Sequence, residues 1–403
     1  MHTIGSWWRA SSRGPSPLTR HLTPAGRVTC AARVAALLLC LTIAVPNAAR
    51  ARPLAASDVV LDLTPASALL ATWPKAGTGT SDAPRRVNAS ERRAAVALGH
   101  TPAYRALRAF IAAENRCTME DGDFARVVTH PDSTFCGLSL QPAYVDRDPI
   151  RALAADLRAH SDSLAMWIAS EAGRYLPSTE EWQPIRFWFV VSSRWSFDAV
   201  TLSPAMAGTA EPIVLINLTE VIGYGANSSE RVRTLAHVMA HEAFHSALGQ
   251  RERLLAGWTK YQHPIRSPLD YIARVMTDEG VAHWIDWGGR PDADSIFTMN
   301  VPGPREVKAF EALAIACRRV RDRDADFASR TELLQMASNG PLWSKYGAIS
   351  GMFAAYRIES RLGLDSLRTA VTGGPAEFLR MYGRVAAADT LLKRVPAALG
   401  GGG

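Results

Sequence analysis

Two histidines four residues apart, with a glutamate between them, carry the clearest chemical signal in this 403-residue chain: His241-Glu242-Ala243-Phe244-His245. On a helix, positions i and i+4 lie one turn apart on the same face, so both imidazoles can reach one ion. Neutral imidazole nitrogens are good zinc ligands. Glu242 sits beside them without being a ligand, where it can take a proton from a water that the metal activates. The competing reading is a surface helix with three incidental polar residues.

A catalytic zinc site needs a third protein ligand and an open position. Ser267-Pro268-Leu269-Asp270 marks a helix start, with a capping serine, a proline in the first turn and an acid three residues on. The pattern continues through YIARVMTDEGVAHWIDW to Gly288-Gly289. Its apolar stripe runs through Ile272, Val275, Met276 and Ala282, and Glu279 falls on it. A carboxylate facing a core is costly unless it is paired or bound to metal, so Glu279 is the preferred third ligand. Asp278 is expected to point elsewhere, paired with Arg274 one turn back. His283, one turn after Glu279, is placed to orient it or to reach substrate.

The helix that presents the histidines has its own signals. Asn227 is a candidate cap with Glu230 three residues later. Val232, Leu235, Ala236 and Met239 recur at helical spacing, and Gly249 is a suitable stop. His237 reads as an exposed helix residue, His263 has no assigned role, and Trp284 and Trp287 read as core or pocket wall.

HEAFH followed by a helix bearing DEGVAHWI resembles the gluzincin class of zincin metallopeptidases. The Glu-Gly-x-Ala form, with Glu279 placed 34 residues after His245, is similar to poorly characterised bacterial families of zinc-dependent peptidases. The segments KYGAISGMFAAYRIESRLG and PAEFLRMYG resemble their C-terminal helices, so the likeness covers roughly residues 185–385. It implies Zn²⁺ held by His241, His245 and Glu279, with Glu242 as general base. It also implies a role for Tyr346, similar to a tyrosine of those families, which with His283 is a candidate donor to a developing oxyanion. In zincins an edge strand before the metal helix pairs with extended substrate, and Ile213 to Leu218 is that strand or a plain core strand. The chain lacks the Asn-Glu-x-x-x-Asp pattern of thermolysin-type members and the later third histidine of metzincins, so substrate does not carry over.

Charge and cysteines set the wider frame. The net charge is +7, but residues 1–51 contribute six arginines and no Asp, Glu or Lys, leaving a nearly neutral remainder. A nucleic-acid partner therefore loses its main support. The same segment reads as an export signal: basic residues, an apolar run from Val34 to Val45, then Ala49-Arg50-Ala51. That run is short for a membrane span, although an uncleaved anchor is the alternative. Cys40 follows three leucines, which does not suit a lipobox. With Cys30 and Cys40 in this segment, export favours a Cys117–Cys136 disulfide and a free, buried Cys317. No CxxC pair, P-loop or GxSxG elbow is present.

Along the chain, Asp58 to Trp73 reads as a short strand and a helix, and 74–91 as a loop. Pro102 to Cys117 is helical, Cys117 to Cys136 a polar connection, and Pro149 to Tyr175 one or two helices. IRFWFVVS from Ile185 and the run from Pro212 to Leu218 are strands with a loop between them. Helices follow over 228–248, 268–286, 304–321, 342–362 and 375–387, with a glycine tail. The expected organisation is a signal peptide at 1–51, a helical region at 52–180, a metal-binding core at 181–300 and a helical region at 301–399. The expected fold is α+β, mostly helical and zincin-like, with a small sheet packed on the HExxH helix. The expected function is exported, periplasmic or extracellular zinc-dependent hydrolysis of peptide or protein substrates, without a stable membrane span. The rival is a non-catalytic metal-binding or interaction protein of the cell envelope.

Overall fold

Four apolar segments pair into the one sheet that carries the core. The computed structural model describes residues 51–387 apart from 75–86, 180, 195–196, 210–211, 253, 260–266, 291, 299–300 and 323–325. Residues 1–50 of the expected signal peptide, Cys30 and Cys40 among them, lie outside the described residues, as do His263 and the glycine tail. Strands of the main sheet are β1 (Val59–Asp62), β2 (Ile185–Val190), β3 (Ala199–Leu202) and β4 (Ile213–Asn217), in spatial order β1-β2-β4-β3. β1 and β4 run parallel to β2, and β3 runs antiparallel to β4. Every residue of β4, and all of β2 except Arg186, is buried. That is the signature of parallel strands covered on both faces, and it explains their continuous apolar runs.

Helices of eight residues or more provide the cover. Before the second strand they are α1 (Thr64–Ala71), α2 (Ala89–Gly99), α3 (Pro102–Asn115), α4 (Asp121–Thr129), α5 (Arg147–Ala159) and α6 (Ser161–Gly173). After the sheet come α7 (Ser228–Glu252), α8 (Pro268–Gly288), α9 (Pro304–Arg321), α10 (Phe327–Gln335), α11 (Tyr346–Leu362), α12 (Leu364–Gly373) and α13 (Pro375–Ala386). The result is an α+β fold, mostly helical. No described helix is long and apolar enough to cross a membrane. Cys117 and Cys136 are bridged, and Cys317 is free and buried in α9.

Several expectations need correction. The 74–91 stretch is not all loop: Asn88 accepts from the Glu91 amide at 2.9 Å and caps α2 from Ala89. The polar connection between Cys117 and Cys136 contains α4, whose Phe124 is buried and whose Asp121 pairs with Arg108 at 2.7 Å. The loop between the strands contains β3. Consequently Ile213–Asn217 is an interior strand, and β3 is the edge. Helices α10 and α12 also escaped the sequence reading. Gly249 does not stop α7, which continues to Glu252; a Cβ there would meet nothing within 4 Å, so the glycine is neither a tight turn nor a contact.

The α8 and α11 backbones touch. A Cβ on Gly280 would sit 2.4 Å from the Gly351 carbonyl carbon, and one on Gly351 would sit 2.0 Å from the Met276 oxygen. Only paired glycines allow this approach. The glycine after Glu279 thus seats α8 against α11 and fixes the height of the glutamate over α7.

Candidate metal centre

α7 begins at a cap and ends in the core. Asn227 Oδ1 accepts from the Glu230 amide at 3.0 Å, and Glu230 Oε2 accepts from the Ala226 amide at 2.8 Å. The reciprocal bond therefore closes on the residue before the cap. Leu235, Met239, Ala240, Ala243, Phe244 and Ala247 are fully buried. His241 and Glu242 are buried as well. α8 starts where the sequence indicates, with Ser267 Oγ accepting from the Asp270 amide at 3.4 Å. It lies across α7 and turns Glu279 inward, 7% exposed.

The two helices bring three donors together. His241 Nε2 and His245 Nε2 are 3.1 Å apart. Glu279 Oε2 lies 4.0 Å from the first and 3.7 Å from the second. Donor atoms about 2.0–2.1 Å from a tetrahedral zinc stand roughly 3.3 Å from one another. The spacing and the N₂O donor set fit such an ion, and among the described residues no fourth His, Cys, Asp or Glu joins this group.

Residues 103–390 match the model of a family described as "Putative zinc dependent peptidase" (DUF5700). The chain belongs to this family. No curated protein and no solved structure matches it.

The electrostatics of the His241–His245 pair are asymmetric. Burial, then the neighbouring His283 and His245, hold His241 well below the ordinary histidine range. Burial opposes charge on His245 too, but Asp278 and Glu279 outweigh it and raise that imidazole. Surroundings that favour a proton on His245 favour any cation between these groups. Asp278 does not point away, as its place next to Glu279 suggested. Its Oδ1 accepts from His245 Nδ1 at 2.7 Å, which turns Nε2 toward His241. Arg274 pairs with Glu252 at 2.7 Å. The Asp278 carboxyl is raised by burial, but His245 outweighs this and leaves it lowered.

Glu242 is oriented by a residue the sequence reading missed. Thr201 Oγ1, on edge strand β3, donates to Glu242 Oε2 at 2.7 Å. Burial lifts the Glu242 carboxyl to about 7, against the opposing pull of His245 and Thr201. A base near neutrality suits proton transfer at neutral pH.

The remaining candidates divide. His283 stands beside His241, ring centroids 4.7 Å apart, with neither ring nitrogen hydrogen-bonded. Tyr346 is directed elsewhere: its hydroxyl donates to the Leu333 carbonyl at 2.9 Å, and the ring is buried. Lys345, the residue before it, is the one whose charge bears on His241 and His283. His237 is not exposed; it packs edge-on against Trp167 at 4.9 Å, and burial lowers it to about 4. Trp284 donates to Glu359 at 2.6 Å, and Trp287 packs on Trp343, so both act as wall.

Proposed function

We propose that this chain is an exported zinc-dependent peptidase in which His241, His245 and Glu279 hold the ion and Glu242 is the general base. The observation that carries the reading is the convergence of these three donors from two helices, beside a buried carboxylate at about 7. Zinc bound there would supply Lewis acidity and bring the pKa of a water to about 7. Glu242 takes the proton of the attacking water and hands it to the leaving amine. Thr201 fixes the carboxylate for both transfers, and Asp278 fixes His245. Tyr346 does not enter this mechanism. β3, the edge strand among the described residues, is where an extended substrate would pair, since β4 is occupied on both sides.

Export rests on the arginine-then-apolar leader and on the Cys117–Cys136 bridge, which suits an oxidising compartment. The test is Glu242→Gln, assayed for zinc content and for cleavage of a peptide library. The expected outcome is unchanged zinc with cleavage reduced about 10²–10⁴-fold. Zinc retained with no cleavage by either protein would reject the enzyme and leave a metal-binding module.

A further inference from the structure

The face of α8 that carries Glu279 continues with two more donors, His283 one turn on and Asp286 another turn on. One donor atom from each of His241, His283 and Asp286 lies within 4.8 Å of the others, and all three residues are buried. His283 is 6% exposed, yet both of its ring nitrogens lack a hydrogen-bond partner. A buried imidazole without a partner is destabilising unless something supplies one. Beside it stands His241, a residue already assigned to the zinc trio, with ring centroids 4.7 Å apart.

We propose that His241, His283 and Asp286 form a second seat for a divalent transition-metal ion, alternative to the first. Two imidazoles and a carboxylate suit zinc, cobalt or nickel rather than calcium or magnesium. The seats exclude each other because they share His241. Its Nε2 faces His245 and Glu279, and a neutral imidazole has one ring nitrogen free to accept an ion. An ion on the shared imidazole belongs to one trio at a time.

The second seat is the weaker one. Asp286 is already paired with Arg290 at 2.5 Å, and an ion must compete with that guanidinium. The charge of Lys345 bears on His241, His283 and Asp286 alike. In the first trio Lys345 bears on the shared His241, but Asp278 adds negative charge beside His245. The inference rests on the zinc-centre reading above: an ion in the second seat leaves His245 and Glu279 without metal, so that form of the enzyme is inactive.

The test is cobalt(II) titration of the full chain, followed by calorimetry and by visible absorption. Wild type is expected to bind one equivalent. His245→Ala with Glu279→Ala is expected to keep one equivalent, bound at least about tenfold more weakly. Adding His283→Ala to that variant removes the remaining binding. Glu279→Ala alone, with and without His283→Ala, makes the same comparison with fewer buried changes: the added substitution should weaken binding at least about tenfold. No binding by the double variant, or no further loss on removing His283, would overturn the second seat while leaving the first intact. No binding by wild type would remove both.

Discussion

The interior holds two clusters of buried charge that face opposite fates. Glu306 on α9 and Arg357 on α11 are 1% and 2% exposed and meet through two hydrogen bonds, at 2.9 and 2.7 Å. The guanidinium meets the carboxylate side-on, Nε and Nη2 each donating to one oxygen. The cluster between α7 and α8 does not. Two imidazole nitrogens stand 3.1 Å apart, His283 has no partner, and Glu242 is lifted to about 7. Burial is similar in the two places, so burial alone does not mark function. What marks the second is that one donor atom from each of His241, His245 and Glu279 lies within 4.8 Å of the others.

The largest effect that separates the clusters is on stability. Arg357→Ala strands Glu306 in the core and is expected to cost about 3–5 kcal/mol in urea unfolding. Replacing both partners, Arg357→Met with Glu306→Leu, should recover most of that loss, because an apolar pair of similar volume removes the unpaired charge. A smaller change, in affinity, is expected at the open cluster: Asp278→Asn should weaken zinc binding about 10–100-fold in chelator competition, with little change in the metal-free melting temperature. Equal losses from the Arg357 single and paired substitutions, or an Asp278 effect confined to stability, would erase the contrast.

The smallest expected effect concerns pH. An unfolded histidine titrates near 6.5, whereas His237 is held to about 4 in the folded chain. Between those values the unfolded state binds more protons. The stability tied to neutral His237 is therefore complete above about 6.5 and is lost as pH falls toward about 4. His237→Phe should flatten that acid-side decline in melting temperature. An unchanged decline would place the sensitivity in other groups.

Much of the centre is legible in the sequence because it depends on local periodicity. The i, i+4 histidines, the Asn227 and Ser267 caps and the position of Glu279 on an apolar stripe all follow from helix geometry. The contacts that orient them are not local. Thr201 reaches Glu242 only because β3 folds back antiparallel along β4, and a four-residue strand that meets Ser203-Pro204 at its end gives too short an alternation to read. Asp278 was assigned to Arg274 by helix spacing, but α7 crosses close enough for His245 to take it. Tyr346 failed for the converse reason: its helix was right, and the direction of its ring depended on α10, which had not been recognised.

The account stands or falls on a single ion held between α7 and α8. The most direct test is metal analysis of the purified full chain and of His241→Ala, since His241 contributes to every donor set described. The account predicts one zinc per wild-type chain and none in the variant. Zinc at full stoichiometry in the variant, or none in the wild type, would contradict it.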